Sequence, residues 1–305
     1  MQNQRKAYVL ALGTVLLWST VASAFKLSLR FLGPVQLLLY SSLVSMLVLA
    51  AVLAVQGRLR LVFSYSARQY RRSLLLGFLN PFLYYLVLFK AYDLLPAQEA
   101  QPINYTWAIT LALLSIPLLG QRIQIADLAG GVVSYCGVVT IFTHGNPFAL
   151  RSSDPLGVAL ALGSTVIWAL YWIYNTRDDR DPVAGLFLNF LFGFPLVLIY
   201  CVLFSDLRVP DVRGLLGAAY VGVFEMGIAF VLWLSALRLS ENTAKVGNLI
   251  FLSPFVSLFL LRIVVGEELA GSSFVGLACI VAGIVLQQRT LGGGRASEIM
   301  PDASR

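Results

Sequence analysis

Apolar blocks of about twenty residues, separated by short polar runs, follow one another along the whole chain. A helix rises 1.5 Å per residue, so about twenty apolar residues cross a hydrocarbon core of ~30 Å. The blocks fall at 7–29, 35–56, 73–92, 97–119, 124–143, 156–175, 183–204, 214–237, 243–265 and 271–288. Backbone polar groups find no water inside a bilayer, so spanning segments of this length must be helices. The expected fold class is therefore an all-α polytopic membrane protein with ten transmembrane helices. Composition agrees: 12% charged residues are too few to cover a soluble domain of 305 residues that is 58% hydrophobic.

Arg5 and Lys6, followed by an apolar run ending Ala22-Ser23-Ala24, have the form of a cleavable signal peptide. Nine further blocks follow, and the first has an internal partner in the sixth. These features argue for a retained first helix.

The net charge of +7 is explained by topology. Of the 22 Lys and Arg, fifteen fall in one set of loops and termini, among them Arg5, Arg58, Arg72, Arg180, Arg238 and Arg305. Six fall on the other side, Lys26, Arg30, Arg151, Arg208, Arg213 and Arg262, and Lys90 sits near the end of its block. The positive-inside rule places the larger set in the cytoplasm. Both termini are then cytoplasmic, and the expected location is the cell's inner (plasma) membrane. No nucleic-acid partner is needed to account for the charge. Cys136, Cys201 and Cys279 lie inside apolar blocks without metal or disulfide spacing, and the single His144 sits in a loop. No metal or cofactor is expected, nor is an enzyme.

The blocks repeat internally. Gly13-Thr14-Val15-Leu16-Leu17-Trp18 parallels Gly163-Ser164-Thr165-Val166-Ile167-Trp168. Gly77, Asn80 and Ala91 match Gly222, Glu225 and Ala236 at an offset of 145, and Gly130 and Gly137 match Gly276 and Gly283 at 146. Residues 1–148 and 149–290 are expected to be two five-helix repeats, with 291–305 a disordered cytoplasmic tail. Five is odd, so the second repeat starts on the side where the first ends. The halves must be inverted about an axis in the membrane plane, an arrangement suited to alternating access.

These features resemble the drug/metabolite transporter superfamily, and within it the EamA-type carriers. The resemblance covers nearly the whole chain. It rests on the Gly-x-x-x-x-Trp element of blocks one and six and the polar position in blocks three and eight. Pro254 with Gly266-Glu267, and the glycine-rich last block of each half, add to it. The run Ile103-Asn104-Tyr105-Thr106-Trp107 is similar to that of the YddG-type aromatic amino acid exporters, departing from their pattern at Thr106 and Ala108. What the resemblance implies is a secondary transporter with a central cavity between its halves, exporting aromatic and other mostly neutral amino acids.

Polar groups at membrane depth are costly and usually face protein or water. Glu225 sits mid-block, as a structural hydrogen bonder or as a cavity acid. Asn80 precedes Pro81, where a helix should kink, and Tyr84 and Tyr85 follow one turn later. Gln101, Asn104 and Tyr105 share one helix face, with Trp107 nearby. Trp168 and Tyr171 form an aromatic stripe that Trp172 and Asn175 extend; Trp18 is the repeat partner of Trp168. Asn248 lies just inside block nine. These twelve positions, Trp18, Asn80, Tyr84, Tyr85, Gln101, Asn104, Tyr105, Trp107, Trp168, Tyr171, Glu225 and Asn248, are the expected substrate contacts. The expected partners are a small solute and the lipid bilayer, and a monomer is compatible with the sequence. An exporter of drugs or quaternary-ammonium compounds, or another metabolite carrier of the superfamily, is the alternative.

Overall fold

A computed structural model describes residues 3–95, 103–121, 123–146, 154–205, 211–253, 256–257 and 271–294. The chain is a bundle of helices. The first is α1 (Gln4–Ser28), capped by the Asn3 side chain, and the second is α2 (Pro34–Val55). A short 3-10 turn, Leu59–Phe63, leads to α3 (Ala67–Gly77). A widened π-type segment, Phe78–Leu83, joins α3 to α4 (Tyr84–Leu94). Next come α5 (Trp107–Leu119) and α6 (Ile125–Phe142). The second half contains α7 (Pro155–Thr176) and α8 (Pro182–Phe204). There, α9 (Val212–Tyr220) is joined to α10 (Ala229–Leu239) by a second π-type segment, Val221–Ile228. Short α11 (Thr243–Gly247) runs into a 3-10 turn at Asn248–Leu252, and α12 spans Gly271–Gly294.

The helix starts carry their signals in the sequence. Asp154 and Asp181 cap α7 and α8, each ahead of a proline in the first turn. Gly120 ends α5 at φ 66°, a left-handed conformation that glycine adopts without strain.

Five helical stretches among the described residues are long and apolar enough to cross a membrane: Pro34–Val55, Ala67–Ala91, Pro155–Thr176, Pro182–Phe204 and Val212–Leu239. Shorter apolar helices are Ile103–Leu119, Ile125–Ile141, Thr243–Leu252 and Phe274–Leu286. The protein is thus an all-α, multi-pass membrane protein.

Some boundaries differ from the sequence expectation. The third span begins at Ala67, not 73, because Ser66 and Gln69 form a capping box beyond the apolar block. Hydropathy locates where lipid contact begins, whereas capping locates where the helix begins. The last helix extends to Gly294 instead of 288. Pro254, Gly266-Glu267 and residues 295–305 of the expected tail lie outside the described residues.

The packing is set by small residues. A Cβ at Gly137 on α6 would collide with the Gly276 carbonyl on α12, and one at Gly276 would lie 2.6 Å from the Gly137 carbonyl. Gly283 abuts the Gly130 carbonyl in the same way. Such close approach is how membrane helices associate without a hydrophobic drive. Gly77 abuts the Asn189 carbonyl on α8, and Gly222 would meet the Ser41 carbonyl on α2 at 2.6 Å.

One end of the bundle is closed by arginines. The Arg180 side chain is buried, and its Nε donates to both Asp178 oxygens at 3.0 and 2.9 Å. Its Nη1 donates to Ser73 Oγ at 2.9 Å on α3. Arg238 on α10 donates to the carbonyls of Arg180 (2.8 Å) and Asn175 (2.9 Å). Arg58 pairs with Asp181 at 3.0 Å. These bonds tie α3, α10 and the loop between α7 and α8 together.

Candidate functional site

The centre of the bundle is aromatic. Trp18 on α1 has its ring centroid 6.1 Å from Trp168 on α7, 6.4 Å from Trp107 on α5 and 5.2 Å from Trp233 on α10. Trp107 lies edge-on to Trp233 at 5.5 Å. Tyr84 stacks on Trp168 at 4.2 Å with an interplanar angle of 27°. Tyr171 also lies near-parallel to Trp168, at 6.2 Å, and Phe230 is edge-on to Trp168 at 5.6 Å. Each such pair contributes about 0.5–1.5 kcal/mol beyond its area burial. The rings fill the space between the helices, and Trp107, Trp168 and Trp233 are all buried.

Beside the rings lies the ionisable group expected from the sequence. Glu225 is buried within the π-type segment of the eighth span, and its Oε1 accepts a 3.0 Å hydrogen bond from the Tyr85 hydroxyl. Its Oε2 makes no hydrogen bond. A π-type turn widens the helix and leaves carbonyls without their usual donors, which is why such segments gather at functional sites. The third span has the matching irregularity at Asn80, whose backbone is extended (φ −155°, ψ 125°) between helical neighbours. Pro81 supplies no donor to the turn before it, so the helix must open there.

A second polar cluster is built around that break. The Asn189 amide donates to Asn175 Oδ1 at 2.9 Å, and the Asn175 amide donates to the Tyr171 carbonyl at 2.7 Å. The Tyr171 phenol faces Asn189, Asn80 and Asn175. Even so, the Tyr171 hydroxyl, both polar atoms of the Asn80 amide and the Asn189 Oδ1 are fully buried without a hydrogen bond. Leaving such a group unmade costs about 1–3 kcal/mol.

Of the sequence-derived positions, Trp18, Tyr84, Trp107, Trp168 and Tyr171 meet in the aromatic cluster, with Tyr85, Glu225 and Asn80 around it. Asn104 sits apart, donating to Ser164 Oγ at 3.2 Å, and Tyr105 is half-buried on the same helical stretch. Asn248 is not gathered with them: it packs on α6, donating to the Asp127 carbonyl at 3.3 Å and touching Gly131. Gln101 lies outside the described residues. Trp233, Phe230 and Asn189 pack with these residues and are absent from the expected set. Trp233 and Phe230 are apolar positions in an apolar span, and no pattern separates them from lipid-facing residues. The amide of Asn189 within an apolar block is the one available signal.

A cleft of about 450 Å³ opens between α1 and α9, lined by Thr20, Ala24, Phe31, Arg213 and Tyr220 among others. It runs along the opposite side of α1 from Trp18. Among the described residues, no group of His, Cys, Asp and Glu is arranged to hold a metal ion.

The model of the EamA-like transporter family matches residues 5–143 and 155–287, nearly the whole chain. The chain belongs to the EamA-like transporter family. Among relatives, the aromatic amino acid exporter YddG of Ancylobacter novellus is 27% identical over 285 residues, covering 92% of this chain and 96% of that protein. The uncharacterized transporter YvbV of Bacillus subtilis is 28% identical over 215 residues, covering 68% of each chain. A solved crystal structure superposes with a TM-score of 0.78 at 24% identity, covering 93% of this chain and 98% of that one. That likeness supports the fold. Membership in the EamA-like family makes small-solute transport the broad function of the bundle.

Proposed function

We propose that this EamA-like protein exports amino acids, aromatic and other mostly neutral ones, from the cytoplasm by alternating access between two inverted five-helix repeats. The observation that carries the reading is the aromatic cluster where the two halves meet, with Trp18 and Trp168 facing each other across it.

Reciprocal packing supports the inverted symmetry. Under the sequence offset of 146, Gly130 becomes Gly276 and Gly137 becomes Gly283. The contact of Gly137 with Gly276 then maps onto that of Gly283 with Gly130, and both contacts exist. Such reciprocity is the mark of a two-fold axis. Gly77 against Asn189 and Gly222 against Ser41 form a looser pair, with offsets of 145 and 148. That the family model matches in two segments, 5–143 and 155–287, is consistent with two repeats. A two-fold relation between halves lets one conformational difference be exchanged between them, which converts one access state into the other. The arginine-rich end is assigned to the cytoplasm by its charge.

Stacked rings suit a flat aromatic side chain, and Glu225 with its Tyr85 partner supplies one acidic group at the same depth. The name of the Ancylobacter relative points the same way. The test is a counterflow assay in proteoliposomes with a panel of radiolabelled amino acids, run with and without a proton gradient. Exchange of phenylalanine or tryptophan above that of empty liposomes is expected. Exchange of none of the amino acids would end the reading.

A second reading, export of lipophilic cations, is favoured by the same rings together with Glu225, because aromatic faces attract cations. It requires quaternary ammonium compounds to be carried and phenylalanine not to compete.

A further inference from the structure

The segment from Val55 to Leu75 carries five arginines, Arg58, Arg60, Arg68, Arg71 and Arg72, and no aspartate or glutamate. Two of the five are used inside the protein. Arg58 pairs with Asp181 at 3.0 Å. Arg72 donates to the Tyr174 carbonyl at 2.9 Å and lies 4.0 Å from Asp178. Arg60, Arg68 and Arg71 are exposed and make no ion pair among the described residues. The two carboxylates that meet this segment are already engaged, Asp178 by Arg180 and Asp181 by Arg58.

Position along the third span decides where the remaining arginines point. Helical residues three and four apart share a face, so Arg68, Arg71, Leu75 and Phe78 form one stripe, and all four are exposed. The opposite face, with Ser73, Leu76 and Gly77, is buried in the bundle. Leu75 and Phe78 are thus the lipid-facing part of the stripe, in a span apolar enough to cross a membrane. At 1.5 Å per residue, Arg71 stands about 6 Å and Arg68 about 10 Å beyond Leu75, toward the arginine-rich end. The Cα–Cβ bonds of a helix tilt toward its N-terminus, which for α3 is this same end. Both guanidinium groups therefore reach outward along the axis. A headgroup layer is about 5–8 Å deep on each side of the hydrocarbon core. The two arginines lie at the depth of lipid phosphates, on the face that lipid chains cover.

The 3-10 turn ahead of α3 extends this surface. Residues three apart eclipse in such a turn, so Arg60 and Phe63 share one edge, while Val62 is buried. Phe63 is 82% exposed. The Tyr70 hydroxyl donates to the Val62 carbonyl at 2.7 Å and fixes the turn to α3. An exposed phenylalanine among arginines suits an element lying in the interface, with its ring at the acyl boundary and its charges among headgroups.

We propose that Arg68 and Arg71 hold the headgroup phosphate of an anionic phospholipid whose acyl chains lie on Leu75 and Phe78, with Arg60 and Phe63 anchoring the neighbouring turn. Charge decides the class of lipid. Guanidinium groups bind phosphate oxygens through paired N–H donors. A zwitterionic headgroup also brings an ammonium, for which this segment has no carboxylate. A lipid held there braces α3 below the break at Asn80. The site does not depend on which solute is carried, so it stands or falls apart from the export reading.

The test is native mass spectrometry of the purified full chain in detergent micelles, titrated with phosphatidylglycerol or with phosphatidylethanolamine of identical acyl chains. Phosphatidylglycerol is expected to bind the more tightly. Arg68→Gln/Arg71→Gln alters two exposed side chains that make no ion pair among the described residues, so folding is spared. It is expected to weaken phosphatidylglycerol about fivefold for each charge removed and to erase the preference between the lipids. Arg71→Gln alone, expected to cost about fivefold, serves if the double variant is not recovered. Arg5→Gln/Lys6→Gln removes two exposed charges from α1 at the same end and is expected to keep the preference. Equal affinity of the unaltered protein for both lipids overturns the site. Equal losses in the two double variants also overturn it, leaving only an effect of overall charge. Displacement of phosphatidylglycerol by an equal concentration of glycerol 3-phosphate overturns the lipid in favour of a soluble phosphate.

Discussion

The hydroxyl of Tyr85 donates a 3.0 Å hydrogen bond to the carboxyl group of Glu225, joining the third span to the eighth. Both side chains are buried, beside the aromatic cluster. Glu225→Gln keeps the shape of the side chain and removes its capacity to exchange a proton. It is expected to abolish any response of counterflow to an imposed pH gradient while keeping an acceptor for the Tyr85 hydroxyl. Tyr85→Phe is expected to slow exchange while keeping the gradient response. Retention of full gradient-dependent transport by Glu225→Gln would remove the acid from the mechanism.

Trp168 sits at the middle of the cluster, its ring against those of Trp18, Tyr84, Trp107, Tyr171 and Phe230. Trp168→Ala is expected to raise the half-saturating concentration of aromatic amino acids about tenfold, as the loss of one or two ring pairs implies. Trp168→Phe should restore most of that loss. Initial rates against concentration, measured for phenylalanine and for a small amino acid such as alanine, check this. An equal effect on both solutes would make Trp168 a packing residue only.

The glycines of α6 and α12 are expected to be intolerant. Gly137→Val places branched carbons where the Gly276 carbonyl lies, and overpacking of this kind costs about 1–3 kcal/mol or more. A lowered Tm in detergent follows. Gly163→Ala on α7 is the control, since nothing lies within 4 Å of an added Cβ. Replacing a helical glycine with alanine there should raise stability by about 0.5–1 kcal/mol. A reversed order of the two melting temperatures would contradict the packing described.

Asp178 lies in the loop between α7 and α8, where burial works against its charge. Hydrogen bonds and charge from Arg180, with Arg72 farther off, outweigh that and hold its carboxyl below the usual carboxylate range. A depressed folded-state pKa means that the contribution to stability is fully present above the unfolded value and is lost as pH falls through the folded one. Stability is therefore expected to be flat at neutral pH and to fall only below about pH 4, the unfolded value for Asp. Asp178→Asn should lower the Tm at pH 7 and flatten the acid limb of Tm against pH. An unchanged acid limb would show that the pair contributes nothing.

Several features are legible in the chain alone. The apolar blocks identify an all-α membrane protein because bilayer thickness leaves only helices of that length. Asn80-Pro81 marks the break in the third span because proline removes a donor wherever it sits in a helix. Glu225 stands out because a carboxyl group at membrane depth needs a reason. The matching break at Val221–Ile228 has no proline, and the sequence carries no sign of it. The contact of Asn248 with the Asp127 carbonyl on α6 is likewise not visible in the sequence.

The sequence by itself determined what is local or periodic: the helical class, the arginine-rich end, the first-turn caps and the paired glycines. Each follows from chain geometry or from transfer between water and lipid, which neighbours in space do not change. Only the tertiary structure decided which apolar residues face one another. Trp233 and Phe230 look like any lipid-facing residues of an apolar span, and their place in the cluster depends on how α10 meets α1 and α7. The same holds for the meeting of the third span with α8, where Gly77 and Gly193 let the two helices cross at backbone distance.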